Sequence, residues 1–252
     1  MAGVEITFLG HASLRFTTET GEVIYHDPWI RDNPVCPLTL EDITRADLVC
    51  VTHGHSDHLG DSLEIVRRTG ATLVGTPEVC FYADRCGLAY DQDTCPLNVG
   101  GSATFGSVTV TLVPATHATS LAGEHWAERR PEPDGAVGFV YTFAQDLVIY
   151  AAGDTGVFGD MALIRQLYGP QVTILPVGGK YTMGVREAAY AAFLLQPEVV
   201  IPYHYGTFPN QAADIGALRE RVAGLLPRTE VVELQPGESW TYPPLACPQP
   251  KE

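Results

Sequence analysis

A chain of 252 residues is long enough to bury a sizeable core, and 45% hydrophobic against 18% charged residues excludes a disordered or fibrous protein. The 15 Lys and Arg against 30 Asp and Glu leave a formal charge of -15, whose field repels nucleic-acid phosphates and anionic membrane surfaces. No run approaches the roughly 20 apolar residues of a membrane span, and the start MAGVEITFLGHASLRF reads as strand and turn rather than as a secretory signal, so a cytoplasmic location is expected.

In chain order, short apolar runs rich in β-branched residues predict strands over 4–9, 23–25, 48–52, 108–113, 137–143, 147–151, 172–175, 199–201 and 230–234. Helical spacing predicts helices over 62–69, 77–86, 160–167, 185–195 and 212–225. Strand and helix alternate in both halves, which predicts an α/β (α+β) protein: two mixed sheets face to face with helices outside, a four-layer αββα sandwich. Neither the polar loop 124–135 nor the tail 243–252 divides the chain, so residues 1–252 are expected to form one domain. Cys36, Cys50, Cys80, Cys86, Cys95 and Cys247 are scattered, without Cys-x-x-Cys spacing, and read as thiols in a reducing compartment with no assigned function.

The segment 48–61, LVCVTHGHSDHLGD, ends a buried strand with His53, His55, Asp57 and His58. In extended backbone, residues two apart point the same way, so His53 and His55 can converge on one ion. Asp57 and His58 enter the next helix and turn toward a neighbouring position. Further candidates stand at other predicted strand ends: His117 in LVPATHATS, Asp154 in IYAAGDTG and His204 in VIPYHYGTF. Asp154 is the natural bridge between two ions, with His117 completing the first site and His204 the second.

With those residues in view, the His-x-His-x-Asp-His core of segment 52–58 resembles the signature of the metallo-β-lactamase superfamily. The likeness extends to Leu9-Gly10-His11-Ala12-Ser13, to Gly153-Asp154-Thr155-Gly156 with 158–161, to 175–179 with 182–184, and to 201–209. Together these are similar to a branch of small bacterial metal-dependent hydrolases related to the ascorbate-6-phosphate lactonases, over residues 4–240. The resemblance implies the metallo-β-lactamase fold and a metal-dependent hydrolase. This chain departs from the branch at Lys180-Tyr181, where a His or Arg followed by Phe is usual, and in the stretch GEHWAERRPEPDG after His117. Both departures are expected near the mouth of the pocket.

Two cations sharing a water lower its pKa from about 15.7 toward 7 and make it a bridging hydroxide, which attacks a small ester, lactone or amide-like substrate. Asp57 reads equally as a proton shuttle beside that water and as a ligand alone. Asp27 is the expected acceptor for the second ring nitrogen of a ligand histidine. His11 is expected to enter the pocket beside the metal ligands or the substrate, and for both residues a plain turn role stands equally open. His26 points away from Asp27 along the strand. Lys180 and Tyr181, together with His125, Trp126, Arg129 and Arg130 of the loop, are candidates for substrate recognition, with a solvated loop as the alternative. Imidazole and carboxylate without thiolate suit Zn²⁺ first, with Mn²⁺ and Fe also fitting. The competing readings are a phosphodiesterase, which the charge disfavours, and a mononuclear iron persulfide oxygenase, which a metal count separates from a two-ion hydrolase. The expected partner is a small-molecule substrate, and the number of subunits stays open between monomer and homo-oligomer.

Overall fold

Strand side chains alternate between two apolar environments, and that alternation sorts the molecule into layers. The computed structural model describes residues 3–121, 132–133 and 135–242. The first half runs β1 (Val4–Gly10), β2 (Ser13–Thr18), β3 (Val23–His26), β4 (Leu48–Cys50), α1 (Ser56–Leu59), α2 (Ser62–Thr69), β5 (Thr72–Gly75), α3 (Pro77–Arg85) and β6 (Thr94–Pro96). Next come β7 (Ser102–Phe105), β8 (Val108–Pro114), β9 (Ser120–Leu121), β10 (Glu132–Pro133), β11 (Val137–Thr142) and β12 (Val148–Ala151). The rest is α4 (Met161–Tyr168), β13 (Val172–Pro176), α5 (Val185–Leu195), β14 (Val199–Tyr203), α6 (Ile215–Leu225), β15 (Glu230–Val231) and β16 (Ser239–Thr241).

One seven-stranded sheet has the order β16-β1-β2-β3-β4-β5-β6 and the other β15-β14-β13-β12-β11-β8-β7. Each is mixed: β3 to β6 pair in parallel and β1 to β3 antiparallel, while β12 to β15 are parallel and β7, β8, β11 and β12 antiparallel. Ile6, Phe8, Leu48, Cys50, Leu112, Ile149, Ile174 and Ile201 fill the space between the sheets. Their neighbours point outward: Leu9, Val49, Val51 and Leu73 pack under Ile65, Val66, Val79 and Ala83 of α2 and α3. Val148, Tyr150, Leu175 and Val200 pack under Ile164, Ala188, Ala192 and Leu218 of α4, α5 and α6. Three apolar interfaces between four layers make the expected αββα sandwich. No helix among the described residues is long and apolar enough to cross a membrane.

Several strands escaped the sequence pattern. β2 is half-buried, with Arg15 and Thr17 on its wetter face diluting the apolar signal. β5, β6, β7 and β16 are three or four residues long, too short to show a period. Helix α6 starts at Ile215 rather than 212 because Asp214 caps it, its carboxylate accepting from the Ala217 N–H at 3.0 Å.

The layers leave one rim where strand ends from both sheets meet. Across it the His204 N–H donates to the His11 carbonyl at 2.7 Å and the Val137 N–H to the Thr52 carbonyl at 3.1 Å. Backbone bonds thus stitch the sheets together beside the ligand candidates.

Candidate metal centre

Of the 8 histidines, His11, His53, His55, His58, His117 and His204 converge on this rim, each just beyond a strand or in the turn after one. His11 follows β1, His53, His55 and His58 follow β4, His117 follows β8, Asp154 follows β12 and His204 follows β14. All lie at carboxyl ends of strands, where open α/β sheets form their crevices.

One group consists of His53, His55, His117 and Asp154, whose ligand atoms all lie within 4.8 Å of one another. His53 Nε2 is 2.9 Å from His55 Nδ1, and His117 Nε2 is 3.4 Å from His55 Nδ1 and 3.5 Å from Asp154 Oδ2. A second group holds His58, Asp154 and His204, and a third His11, Asp57 and His204. There His58 Nε2 and His204 Nε2 lie 3.4 and 3.1 Å from Asp154 Oδ1. The two oxygens of Asp154 therefore face two different sets of imidazoles. His58 Nε2, His204 Nε2 and Asp154 Oδ1 are buried without a hydrogen-bond partner among the described residues, although they lie close together. Buried polar atoms left in this way are costly unless something satisfies them, and a cation does so for a set of lone pairs. The donors are nitrogen and oxygen only, which fits the borderline and hard divalent ions.

Asp27 sits beneath these groups and is fully buried. Its Oδ2 accepts from His58 Nδ1 at 2.7 Å and from the Thr52 hydroxyl at 2.7 Å, and its Oδ1 accepts from the Thr52 N–H at 2.8 Å. Thr52 Oγ1 in turn lies 2.9 Å from His53 Nδ1. Burial opposes the charge on Asp27, but His26 and His58 outweigh it and bring its pKa down to about 2. Burial likewise opposes ionisation of Asp154, and His58 and His204 override it, holding the carboxyl well below its usual value. Burial would lower His58, yet Asp154, Asp27 and Asp57 around it raise it well above the ordinary imidazole value in the metal-free protein. His53 is driven well below that value by burial and by its neighbour His58.

His11 is buried, with Nε2 3.0 Å from Asp57 Oδ2 and Nδ1 2.9 Å from Thr207 Oγ1. Its ring lies 4.0 Å from that of His204 and edge-on to Trp29 and Phe208. His11, Asp27 and His204 all have left-handed backbones, with φ of 57°, 46° and 56°. Non-glycine residues in that region are strained, and three of them gather at this one rim. Gly153 and Gly178 provide clearance: a Cβ on Gly153, at φ +64°, would meet the Val137 carbonyl at 2.8 Å, and one on Gly178 would meet the His204 carbonyl at 2.3 Å. His26 does not point away from Asp27 as the strand alternation predicts, because Asp27 leaves the strand in a left-handed conformation: His26 Nε2 lies 3.6 Å from Asp27 Oδ2, and His26 Nδ1 2.9 Å from the Tyr141 hydroxyl.

The cleft over the metal centre has a volume of about 670 Å³ and exposes His55, Asp57, His117, Asp154 and His204 at its floor. Tyr181, Phe208, Asn210 and Gln211 form its wall. Lys180 is exposed beside Tyr181, its Nζ 5.0 Å from the ring centroid, and is not part of the wall. His125, Trp126, Arg129 and Arg130 lie outside the described residues. Thr52, Thr207 and Phe208 fall within segments 52–58 and 201–209, which carry the family resemblance but gave them no role of their own, and Gln211 lies just beyond. Their one signal is adjacency, Thr52 directly preceding His53 and the others following His204 in the same loop.

A mixed-sheet αββα sandwich with a His-x-His-x-Asp-His cluster at its strand ends is the metallo-β-lactamase fold. Residues 5–204 match the β-lactamase superfamily domain. A UPF0173 metal-dependent hydrolase of Koribacter versatilis is 38% identical over 241 residues, covering 96% of this chain and 99% of that protein. One from Methanopyrus kandleri is 42% identical over 239 residues, covering 94% and 99%. Igni18, described as a novel metallo hydrolase of Ignicoccus hospitalis, superposes with a TM-score of 0.82 at 36% identity over 96% of this chain and 99% of its own. The chain belongs to the β-lactamase superfamily and, within it, to this family of metal-dependent hydrolases.

Proposed function

We propose that this metal-dependent hydrolase acts on a small ester, lactone or amide-like substrate with two divalent cations. His53, His55 and His117 would hold one, Asp57, His58 and His204 the other, and Asp154 would bridge them. The observation that carries the reading is the Asp154 carboxylate, one oxygen toward His117 and the other toward His58 and His204. Such a pair lowers the pKa of a shared water toward neutrality and polarises the substrate carbonyl. Zn²⁺ suits the donor set first, with Mn²⁺ and Fe also fitting.

The chain's own groups supply positioning and proton traffic. Asp57 is partly open to the cleft, and its other contact, the hydrogen bond from His11 Nε2, holds Oδ2 in place. Burial opposes its charge, while His58 and His11 keep it ionised, so it is available to take a proton from water and return it to the leaving group. Tyr181, Phe208, Asn210 and Gln211 offer apolar surface and neutral hydrogen-bonding groups to the substrate. The overall charge of -15 disfavours a nucleic-acid phosphodiester. Separate imidazole groups on either side of Asp154 favour two ions over a mononuclear iron oxygenase. The free thiols of Cys36, Cys50, Cys80, Cys86 and Cys95 suit a reducing, cytoplasmic setting.

The resemblance to the ascorbate-6-phosphate lactonases makes a lactone panel the first assay. Asp154→Ala is expected to abolish metal binding, measured by elemental analysis, together with lactone turnover. Turnover that persists in the metal-free variant sinks the reading.

A further inference from the structure

The molecule has a second cleft of nearly the same size as the metal cleft. Its volume is about 640 Å³, and it lies between α5 and α6 with Val157, Arg186, Glu187, Tyr190, Arg221 and Leu225 among its lining. Sites for small ligands run to roughly 300–1,000 Å³. It shares no lining residue with the metal cleft.

The charge of this cleft runs against that of the molecule. The chain carries -15 overall, and Arg15, Arg31, Arg45, Arg67, Arg68 and Arg219 are each engaged by a carboxylate. Arg186 and Arg221 come from two adjacent helices to one cleft, and neither has an ion-pair partner among the described residues. The acidic group in the lining, Glu187, folds back over the start of its own helix. Its Oε2 lies 3.2 Å from where a Cβ on Gly184, the N-cap of α5, would sit. Glu187 makes no ion pair with either arginine among the described residues, so two guanidinium groups against one carboxylate leave the lining with a net positive charge.

Beside the arginines lies exposed apolar surface. Tyr190 is 51% and Leu225 44% exposed, large values for such side chains, and the Phe193 ring lies tilted beside that of Tyr190, 5.8 Å between centroids. Two guanidinium forks next to an aromatic face complement an anionic head joined to a flat apolar body. We infer that the α5–α6 cleft is a second ligand site, for a small organic phosphate or carboxylate carrying an apolar ring or chain. Val157 at its edge follows Asp154 by three residues, and the Gly156 N–H bonds the Thr116 carbonyl at 3.0 Å, next to His117.

Titration calorimetry of the metal-loaded full chain with phenylphosphonate and with benzoate tests the assignment and separates the two head groups. Inorganic phosphate and benzyl alcohol serve as head-only and body-only probes. Expected is saturable binding of at least one aryl anion, weakening with salt and falling about tenfold in Arg186→Ala/Arg221→Ala. Tyr190→Ala should weaken it several-fold. Both arginines are exposed, so the double variant should keep its melting temperature. Binding that survives the double variant but vanishes in Asp154→Ala puts the anion in the metal cleft and overturns the inference. So does the absence of saturable binding, or inorganic phosphate binding as tightly as phenylphosphonate.

Discussion

Asp27 ties two of the candidate ligands together, because one buried carboxylate orients the protons of two imidazoles, His58 directly and His53 through Thr52. Ionised, it can only accept, so the Thr52 hydroxyl must donate to it and can then only accept from His53 Nδ1. His58 likewise donates its Nδ1 proton. Once cations replace the Nε2 protons, both histidines would present Nε2 lone pairs, His53 Nε2 from beside His55 and His58 Nε2 from beside Asp154. Asp27→Asn offers one acceptor oxygen where two worked, and metal affinity should fall about 10–100-fold in a chelator-competition titration. Thr52→Val, which breaks the His53 arm and removes one donor to Asp27 but leaves the His58–Asp27 bond, should lose less. The pH dependence has a definite sign. A carboxyl whose folded pKa is depressed adds stability that is complete above its unfolded value near 4 and is lost as pH falls toward about 2. Acid melts of metal-free protein should show wild type losing more stability across that window than Asp27→Asn, and equal losses would contradict the role given to Asp27.

At the level of elements, short strands and sharp turns place the ligands. β12 ends at Ala151, and the chain reverses through Gly153 so that Asp154 enters the rim between the sheets. Ala at 153 would carry both the strain of a left-handed backbone and overlap with Val137 and Thr52. Gly153→Ala should therefore destabilise by about 1–3 kcal/mol in denaturant unfolding and lower metal occupancy. Gly159→Ala, six residues on with nothing within 4 Å of the added Cβ, should be tolerated. Equal behaviour of the two variants would show that the turn does not position Asp154. The strands that carry ligands, β4, β8, β12 and β14, were legible as buried β-branched runs. β5 to β7 and β16 were not: β6, β7 and β16 bury one residue at most and so lack the apolar run that marks β4 and β12.

On the scale of the whole molecule, the proposed metal centre would clasp the two sheets together. His11, His53, His55, Asp57 and His58 belong to the first, and His117, Asp154 and His204 to the second. Ion binding should therefore stabilise the entire sandwich. At a free ion concentration about 100 times Kd the gain is about 2.7 kcal/mol. For a chain of this size that corresponds to roughly 5–10 °C in melting temperature. Calorimetry with and without chelator checks this, and a melting temperature unmoved by complete removal of metal would show that the clasp is not there.

The ligand candidates and the layered fold could be read from the sequence because both are written locally. Period-two and helical apolar patterns report burial, and His53, His55, Asp57 and His58 lie within six residues of one another. Contacts between distant segments could not. That His11 would hold Asp57 and Thr207, that Asp27 would reach His53 through Thr52, and that Arg186 and Arg221 would share a cleft depended on how two sheets and three helices pack. Side-chain pairings across so many intervening residues are set by tertiary packing, which no short-range periodicity encodes.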